Sequence, residues 1–233
     1  MRTDPRQAQA DRLARLHGLY AIVGDLDPAG RAEAVIQGGA RVVQVRMKRS
    51  PAGAILEAAR RIVVLARGRA LVLVNDRPDL ALLAGADGVH LGDEDLPVAE
   101  ARAILGPGLL VGRTARSAEE AHAALAAGAD HVGYGPVFPS ATKPLDVAPR
   151  GVDALAATCA AVRAPVVAIS GITLDNIGAI ARAGAAAAAV IGGLFEGGDP
   201  RAQAEALAAA FAAGTGSPRR QGGDSGPPGG PAT

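Results

Sequence analysis

An α/β fold arranged as a single (β/α)8 barrel is predicted by two features of the 233-residue chain. First, short β-branched runs alternate with longer Ala-rich stretches from Leu19 to about Phe211, which is typical of βα units on a parallel sheet. Second, one four-residue phrase recurs along the chain. No GxGxxG fingerprint follows the first apolar run, which disfavours the competing doubly wound open sheet.

The repeated phrase has Gly-Ala at its centre and occurs at 38–41, 84–87, 127–130 and 183–186. Each copy ends a helical stretch and precedes an apolar run, so we expect its Gly to supply the left-handed residue that stops the helix. The copies recur at intervals of roughly 45–55 residues, which is room for two βα units each. Four such pairs give eight units, the number in a TIM barrel.

The predicted elements begin with a short helical N-terminal extension, residues 1–18, followed by the barrel, residues 19–213. Pro51 is expected to open the second helix and Pro200 the last one, since the first turn tolerates proline. The Gly- and Pro-rich stretch 214–233 buries too little to offset its ordering entropy and predicts a disordered C-terminal tail. The predicted strands are Leu19–Val23, Val42–Arg46, Leu71–Asn75, Gly88–Leu91, Leu109–Gly112, His131–Tyr134, Val166–Ile169 and Ala188–Ile191.

The composition limits the classes of function. With a net charge of +1, the chain offers no strong electrostatic case for binding nucleic acid or an anionic membrane. Cys159 is the single cysteine, which excludes an internal disulfide and fits a reducing cytoplasm. The charged N-terminus is unlike a signal peptide, and no apolar run approaches the roughly 18 residues that span a bilayer. We therefore expect a cytoplasmic protein, and the sequence leaves its oligomeric state open.

Two acidic stretches follow the third and fourth predicted strands. Asn75 and Asp76 close one apolar run, and the acids at 93–95 follow the next one. Two carboxylates from neighbouring strand ends can share one Mg²⁺, a cation that prefers oxygen ligands. Alternatively, Asp76 caps the helix that starts near Pro78, and the acids at 93–95 favour a helix N-terminus. The residues alone do not decide which of the three later acids would bind a metal.

Cationic side chains end the second predicted strand. Strand alternation places Gln44, Arg46 and Lys48 on one face, toward the barrel mouth. Two cations and an amide there predict an anion site, with ordinary surface charge as the plain alternative. Farther along, Thr114 could donate its hydroxyl to a phosphate, whereas Ser117 is better explained as a helix N-cap.

The last three strand ends carry small and glycine residues. The long loop 135–144 predicts a lid or clamp that carries Lys143, since long loops in compact domains are usually functional. Gly171 and Gly192 lie at the ends of strands seven and eight, where barrels often bind phosphate through backbone N–H groups. The sequence therefore predicts an enzyme that binds two phosphorylated small molecules, one through metal and cations and one through backbone amides.

In order along the chain, these motifs resemble the thiamine phosphate synthase family, and the resemblance runs from Leu19 to about Phe211. It implies a TIM barrel that joins 4-amino-2-methyl-5-hydroxymethylpyrimidine diphosphate to a carboxylated or plain thiazole phosphate, with thiamine monophosphate and pyrophosphate as products. In that family the pyrophosphate leaves first. The residues that carry the resemblance are 44–48, 75–77, 88–92, 94–97, 135–139, 142–143 and 170–173.

The resemblance also implies a role for each site residue. Asp76 and Asp95 would be the Mg²⁺ ligands, and Gln44 would contact the pyrimidine. The residues implied as pyrophosphate contacts are Arg46, Lys48, Asn75, Thr114 and Lys143, of which all but Asn75 are expected to be catalytic. The residues implied on the thiazole phosphate side are Ser140, Thr142, Gly171, Ile191 and Gly192.

Five positions depart from the family pattern. Asp93 stands where Gln is usual, and Arg116 stands where His is common. Thr114 replaces a common Ser and keeps the hydroxyl, whereas Ser170 interrupts a usual Gly-Gly pair and Gly192 replaces a frequent Ser. Two rival functions remain, and Arg116 counts against the first of them. A related thiazole tautomerase, an isomerase, would need His at position 116, and a non-catalytic phosphate-ligand sensor would explain positions 170 and 192.

Overall fold

The computed structural model describes residues 4–139 and 148–216. Eight parallel strands pair in sequence order and close into a barrel, which confirms the predicted fold class. The strands are β1 (Gly18–Val23), β2 (Val42–Val45), β3 (Leu71–Asn75), β4 (Gly88–Leu91), β5 (Leu110–Ala115), β6 (His131–Tyr134), β7 (Val166–Ile169) and β8 (Ala187–Val190). The helices are α1 (Pro5–Ala14), α2 (Pro28–Gln37), α3 (Ala52–Ala66), α4 (Pro78–Ala84), α5 (Val98–Leu105), α6 (Ala118–Ala126), α7 (Gly151–Ala161), α8 (Ile177–Arg182), α9 (Gly192–Phe195) and α10 (Pro200–Thr215).

Each copy of the repeated phrase makes the same helix-to-strand junction. Its Gly, at positions 39, 85, 128 and 184, has a φ between 70° and 103°, as predicted. The following Ala donates its N–H to a carbonyl five residues earlier in the preceding helix, as in Ala86 to Ala81 at 3.0 Å. The last residue of each phrase then donates to a neighbouring strand, as in Asp87 to Val72 at 2.7 Å. The repeat is therefore a unit of backbone hydrogen bonding.

The N-terminal extension lies across the base of the barrel. Asp4 caps α1 by accepting from the N–H of Arg6, which fits the predicted short helix. Arg12 of this helix donates to Asp87 at 2.9 Å, and Gln9 donates to Asp130 at 2.7 Å. Both acids end copies of the repeated phrase, so α1 is tied to the face opposite the strand ends that carry the candidate site.

Several element boundaries differ from the sequence prediction. β1 begins one residue early, at Gly18, β2 ends one residue early, at Val45, and β8 is shifted one residue earlier, to Ala187–Val190. β5 was expected to end at Gly112, but it continues to Ala115 because Thr114 and its neighbours stay in register with β6. Pro51 is the N-cap of α3 rather than a first-turn residue, whereas Pro200 opens α10 as predicted.

The end of the barrel also lies beyond the predicted boundary at residue 213. α10 runs to Thr215, and Gly214 is buried against Gly178 of α8. The close helix packing leaves no room for a Cβ at Gly214, which explains a glycine inside a helix. The expected tail therefore cannot begin at Gly214, and residues 217–233 lie outside the described part of the chain.

Inward-facing side chains fill the barrel in layers. The lower interior is apolar, with Leu71, Leu73 and Leu110 fully buried beside small residues of β7 and β8. Nearer the mouth the inward positions become polar, beginning with Gln44, which donates to the Tyr20 hydroxyl at 2.7 Å. Within the described residues, no helix is both long and apolar enough to cross a membrane.

Two histidines occupy the upper interior. The rings of His90 on β4 and His131 on β6 lie 5.8 Å apart. His131 is fully buried, and His90 is half-buried. Gly112 lies between them, and a Cβ there would overlap both rings. Neither ring nitrogen of His131 has a hydrogen-bond partner among the described residues. Burial lowers the pKa of His90 to about 4 and that of His131 to about 3, so both imidazoles are neutral at physiological pH.

This pair predicts that the protein loses stability in mild acid. The unfolded chain takes up protons on both imidazoles below their ordinary pKa of 6.5, whereas the folded protein does so only near pH 4 and below. Proton uptake therefore favours unfolding as the pH falls through this window. Each histidine should cost about 2 kcal/mol of unfolding free energy at pH 5 relative to pH 8.

His131→Leu should remove about half of that pH-dependent loss, measured by urea unfolding at pH 8 and pH 5. His122, exposed on α6, provides the matched control for loss of an imidazole from the surface. If His131→Leu and His122→Leu reduced the loss of unfolding free energy between pH 8 and pH 5 by the same amount, burial would not be its cause.

Candidate active site

The predicted acidic pair comes together at the mouth of the barrel. Asp76 directly follows β3 in a left-handed conformation, with φ 65°, and its N–H donates to the His90 carbonyl at 2.9 Å. Asp95 lies in the turn after β4, where its carboxylate accepts from the Gly92 N–H at 2.6 Å. Burial raises the pKa of Asp76, and hydrogen-bonding contact with the Asp95 carboxyl raises it further. The two carboxyl groups therefore face each other in a half-buried position.

Helix capping does not explain these acids. The N-cap of α4 is Arg77, which makes no side-chain cap bond, and Asp79 in the first turn pairs with Arg77 at 2.6 Å. In the same way, α5 begins only at Val98, and its first-turn acid is Glu100. Both capping alternatives for the acids at the strand ends are therefore wrong.

The facing carboxylates fit a hard divalent cation. Lys48 is the cation that contacts them, with its Nζ at 3.1 Å from Asp76 Oδ2. Within the described residues, no group of three or more His, Cys, Asp and Glu side chains is arranged to hold a metal ion. A cation at Asp76 and Asp95 would therefore complete its shell with water and ligand oxygens, which is the usual arrangement for Mg²⁺.

A cavity of about 210 Å³ opens beside this pair. Its lining combines polar Lys48, Asn75 and Asp76 with apolar Met47 and Ile55. Gln44 and Arg46, which were predicted on the same face as Lys48, are not among its lining residues. The remaining lining residues are Val45, Ser50 and Arg77.

The other predicted polar residues of this half lie on strand ends around the same mouth. Gln44 is 3% exposed and is held in the interior by Tyr20. Arg46 is half-buried and continues the pairing of β2 with β1 by donating its N–H to Val23 at 2.8 Å. Asn75 ends β3 in register with His90.

Thr114 lies on β5 rather than in the loop after it. Its Oγ1 is 3.0 Å from Nε2 of His90, a residue that the sequence analysis did not select. His90 pairs with Asn75, a predicted site residue, and this position could have marked it as part of the site. A histidine within a strand is equally typical of a protein core, so its residue type alone did not identify it. A proton on Nε2 would make the imidazole the donor and leave the Thr114 hydroxyl hydrogen free for a ligand.

The opposite half of the mouth is shaped by backbone. Ser170 and Gly171 both have left-handed φ values, 78° and 66°. A Cβ at Gly171 would overlap Phe138 and Pro139, so the loop after β6 packs directly on this glycine. Asn176, another residue that the sequence analysis missed, donates to the Gly171 carbonyl and accepts from the Thr173 N–H, both at 2.9 Å.

The end of β8 is less complete as an anion site. Ile191 and Gly192 begin the short helix α9, and the exposed Glu196 side chain lies directly over Gly192. A phosphate at Gly192 would require that carboxylate to swing into solvent. The predicted residues Ser140, Thr142 and Lys143 lie outside the described residues.

Comparison with known proteins identifies the family. A family model described as thiamine monophosphate synthase matches residues 19–194. The chain belongs to this family. It is 67% identical over 205 residues to the thiamine-phosphate synthase of Anaeromyxobacter dehalogenans, which covers 88% of this chain and 92% of the relative. A thiamine-phosphate synthase of Myxococcus xanthus is 48% identical over 192 residues, which is 82% of this chain and 88% of the relative.

A solved structure supports the same family. Thiamine phosphate pyrophosphorylase from Pyrococcus furiosus superimposes with a TM-score of 0.80 at 33% sequence identity. The match covers 87% of this chain and all of that structure. The ordered motifs that resemble the synthase family therefore belong to a chain of the same fold and family.

The acidic pair yields a prediction for Asp76→Asn. Asparagine tolerates the left-handed backbone, and its neutral amide relieves the repulsion from Asp95. Because the folded pKa of Asp76 is raised, the ionised carboxylate opposes folding at neutral pH, and the variant should be at least as stable as wild type without metal. With Mg²⁺ at a hundredfold excess over its Kd, wild type should gain about 2.7 kcal/mol and the variant nothing.

Thermal unfolding with and without Mg²⁺ measures both effects. Asp79→Asn, which removes a nearby exposed acid of α4, is the control and should keep the gain from Mg²⁺. A less stable Asp76→Asn protein that still responds fully to Mg²⁺ would contradict the role as metal ligand.

Proposed function

We propose that this protein is a thiamine phosphate synthase that transfers the pyrimidinylmethyl group from its diphosphate to the nitrogen of a thiazole phosphate. The observation that carries the proposal is the pair of facing carboxylates, Asp76 and Asp95, with Lys48 bound to one of them. Family membership supplies the reaction class. The geometry is consistent with this reaction class. A diphosphate leaving group needs positive charge close to its oxygens, and the two carboxylates could bind a cation that provides it.

The residues around β2 and β3 would bind the pyrimidine diphosphate. Arg46 and Lys48 would neutralise diphosphate oxygens, and Asn75 would donate an amide N–H from the adjacent strand end. Gln44 is already held by Tyr20, so its amide plane is fixed before a pyrimidine arrives. A fixed polar group costs little reorganisation when it binds a ligand.

Thr114 and Lys143 would stabilise the departing pyrophosphate from the other side. The Thr114 hydroxyl is oriented by His90, and the structure supports a donor role because Nε2 of the neutral imidazole can supply the hydrogen bond that Oγ1 accepts. Lys143 is assigned to this role on the family resemblance. As pyrophosphate leaves, negative charge grows on its oxygens, and donors fixed around them lower the barrier.

Asp76 and Asp95 would hold one Mg²⁺ per subunit. When bound, it supplies positive charge to the diphosphate oxygens and links them to the protein. Lys48 has a second task in this arrangement, since release from Asp76 would let its ammonium group turn to the diphosphate. Cytoplasmic location stays a prediction.

The thiazole phosphate would bind across the mouth, near Gly171, Ile191 and Gly192, with Ser140 and Thr142 from the loop after β6. The left-handed Gly171 and its Asn176 brace support a rigid backbone at this position. Glu196 would have to leave Gly192, so this half of the proposal depends on a side-chain movement.

The isomerase alternative has less support. A tautomerase would need His at position 116, where this chain has an arginine that is paired with Asp93. A non-catalytic sensor remains the second candidate because of Ser170 and Gly192. Ser170 adopts the left-handed conformation of a glycine and keeps the backbone path of the loop, which weakens that case.

Product formation tests the proposed function. Purified protein, the pyrimidine diphosphate and thiazole phosphate should give thiamine monophosphate and pyrophosphate with Mg²⁺, and none with excess EDTA. Thiazole phosphate that binds without product formation would favour the sensor, and its isomerisation would favour the tautomerase.

A variant of Lys143 tests the catalytic assignment. Lys143→Ala should lower kcat roughly 100- to 1,000-fold because it removes a charge that acts mainly on the departing pyrophosphate. Thermal unfolding should be unchanged. Arg163→Ala is the control for loss of one exposed positive charge. Turnover near the wild-type value in Lys143→Ala would remove this residue from the mechanism.

A further inference from the structure

The turn after β4 holds Asp95 through Gly92. The Asp95 N–H donates to the Gly92 carbonyl at 3.3 Å, and the Gly92 N–H donates to the Asp95 carboxylate at 2.6 Å. These two bonds close a tight turn from Gly92 to Asp95. The direction of the Asp95 carboxylate therefore depends on the orientation of Gly92. Any contact that fixes Gly92 therefore also fixes the proposed metal ligand.

Two arginines, Arg113 on β5 and Arg116 directly after it, contact this turn from the side. Arg113 donates through Nη1 to the Gly92 carbonyl, and its Nη2 lies 3.5 Å from Asp93 Oδ1. Arg116 contacts the other oxygen of the same carboxylate, Oδ2, through Nη1. Asp93 thus joins both guanidinium groups to the turn, and the three side chains are 21–38% exposed.

We propose that Asp93, Arg113 and Arg116, here called the arginine clamp, position Asp95 for its cation. The inference rests on the proposed function of Asp95 as a metal ligand. It also gives one physical account of two family departures, since the carboxylate at position 93 and the guanidinium at position 116 neutralise each other. The clamp residues touch neither substrate nor metal in this assignment, so they are positioning residues.

Removal of Arg116 should change cation affinity in opposite directions under a purely electrostatic model and under the positioning model. Arg116 brings a positive charge near Asp95, so its removal should tighten cation binding if charge alone matters. Under the positioning model, removal loosens the turn and weakens cation binding. Neutralising Asp93 weakens binding in both models, which makes Arg116 the informative residue. Groups that orient metal ligands typically change metal affinity by roughly 10- to 100-fold when they are mutated.

The experiment measures Mn²⁺ binding to the full chain by the electron paramagnetic resonance signal of the free ion, with pyrophosphate present and Mg²⁺ as competitor. Arg116→Met and Asp93→Asn should each weaken Mn²⁺ binding roughly 10- to 100-fold. Arg113→Met, which removes the direct contact with the Gly92 carbonyl, should weaken binding by a similar factor. Asp95→Asn is the positive control and should abolish binding.

Arg201→Met is the matched control. It also removes one arginine from an ion pair, with Glu205 on α10, and should leave Mn²⁺ affinity unchanged. Arg116→Met with equal or tighter Mn²⁺ affinity would overturn the clamp. If Arg116→Met does not fold, Arg116→Lys provides a second test. It keeps the charge but not the forked guanidinium, and its Mn²⁺ affinity should lie between those of wild type and Asp93→Asn.

The binding readout separates this inference from the proposed function. If the wild-type protein binds Mn²⁺, and the clamp variants weaken that binding, but no product forms, only the synthase assignment would be overturned. A wild-type protein that binds no Mn²⁺ with pyrophosphate present would overturn the clamp, whatever its activity.

Discussion

The meeting of Asp76 and Asp95 is the constraint on which the rest of the mouth depends. Two carboxylates in a half-buried position repel each other, and only a closed ring of parallel strands keeps them together before a cation binds. Lys48 and the turn at Gly92 offset part of this cost. The barrel therefore holds two like charges in a fixed geometry, and a bound cation would relieve their repulsion.

Much of the fold could be predicted from the repeated four-residue phrase, because each copy forms a helix-to-strand junction. The repeated phrase forms the same backbone bonds each time, so a local signal specified the helix ends and strand starts. The predicted β5 was too short because polar Thr114 follows an apolar run. Only the pairing with β6 shows that the strand continues to Ala115. The late end of α10 depends on packing against α8, which local composition does not reveal.

The candidate site was partly predictable for the same reason. Strand order brought Asp76 and Asp95 together, because neighbouring parallel strands end on one edge. The residues alone left the acids at 93–95 undecided, and the family resemblance implied Asp95. In the structure Asp93 turns to Arg116, whereas Asp95 faces Asp76. His90 and Asn176 were missed because each acts through a neighbour, and sequence gives no direct sign of such indirect roles.

The left-handed backbone at position 76 limits how this site can evolve. Aspartate, asparagine and glycine adopt that conformation at little cost, whereas longer or branched residues do not. A carboxylate requirement at the same residue leaves aspartate alone, so glutamate is not an equivalent replacement there. The backbone at Asp95 is not left-handed, so its conformation adds no restriction beyond the bond to the Gly92 N–H. Substitution records among relatives should therefore show an asymmetry, with position 95 the more permissive of the two acids.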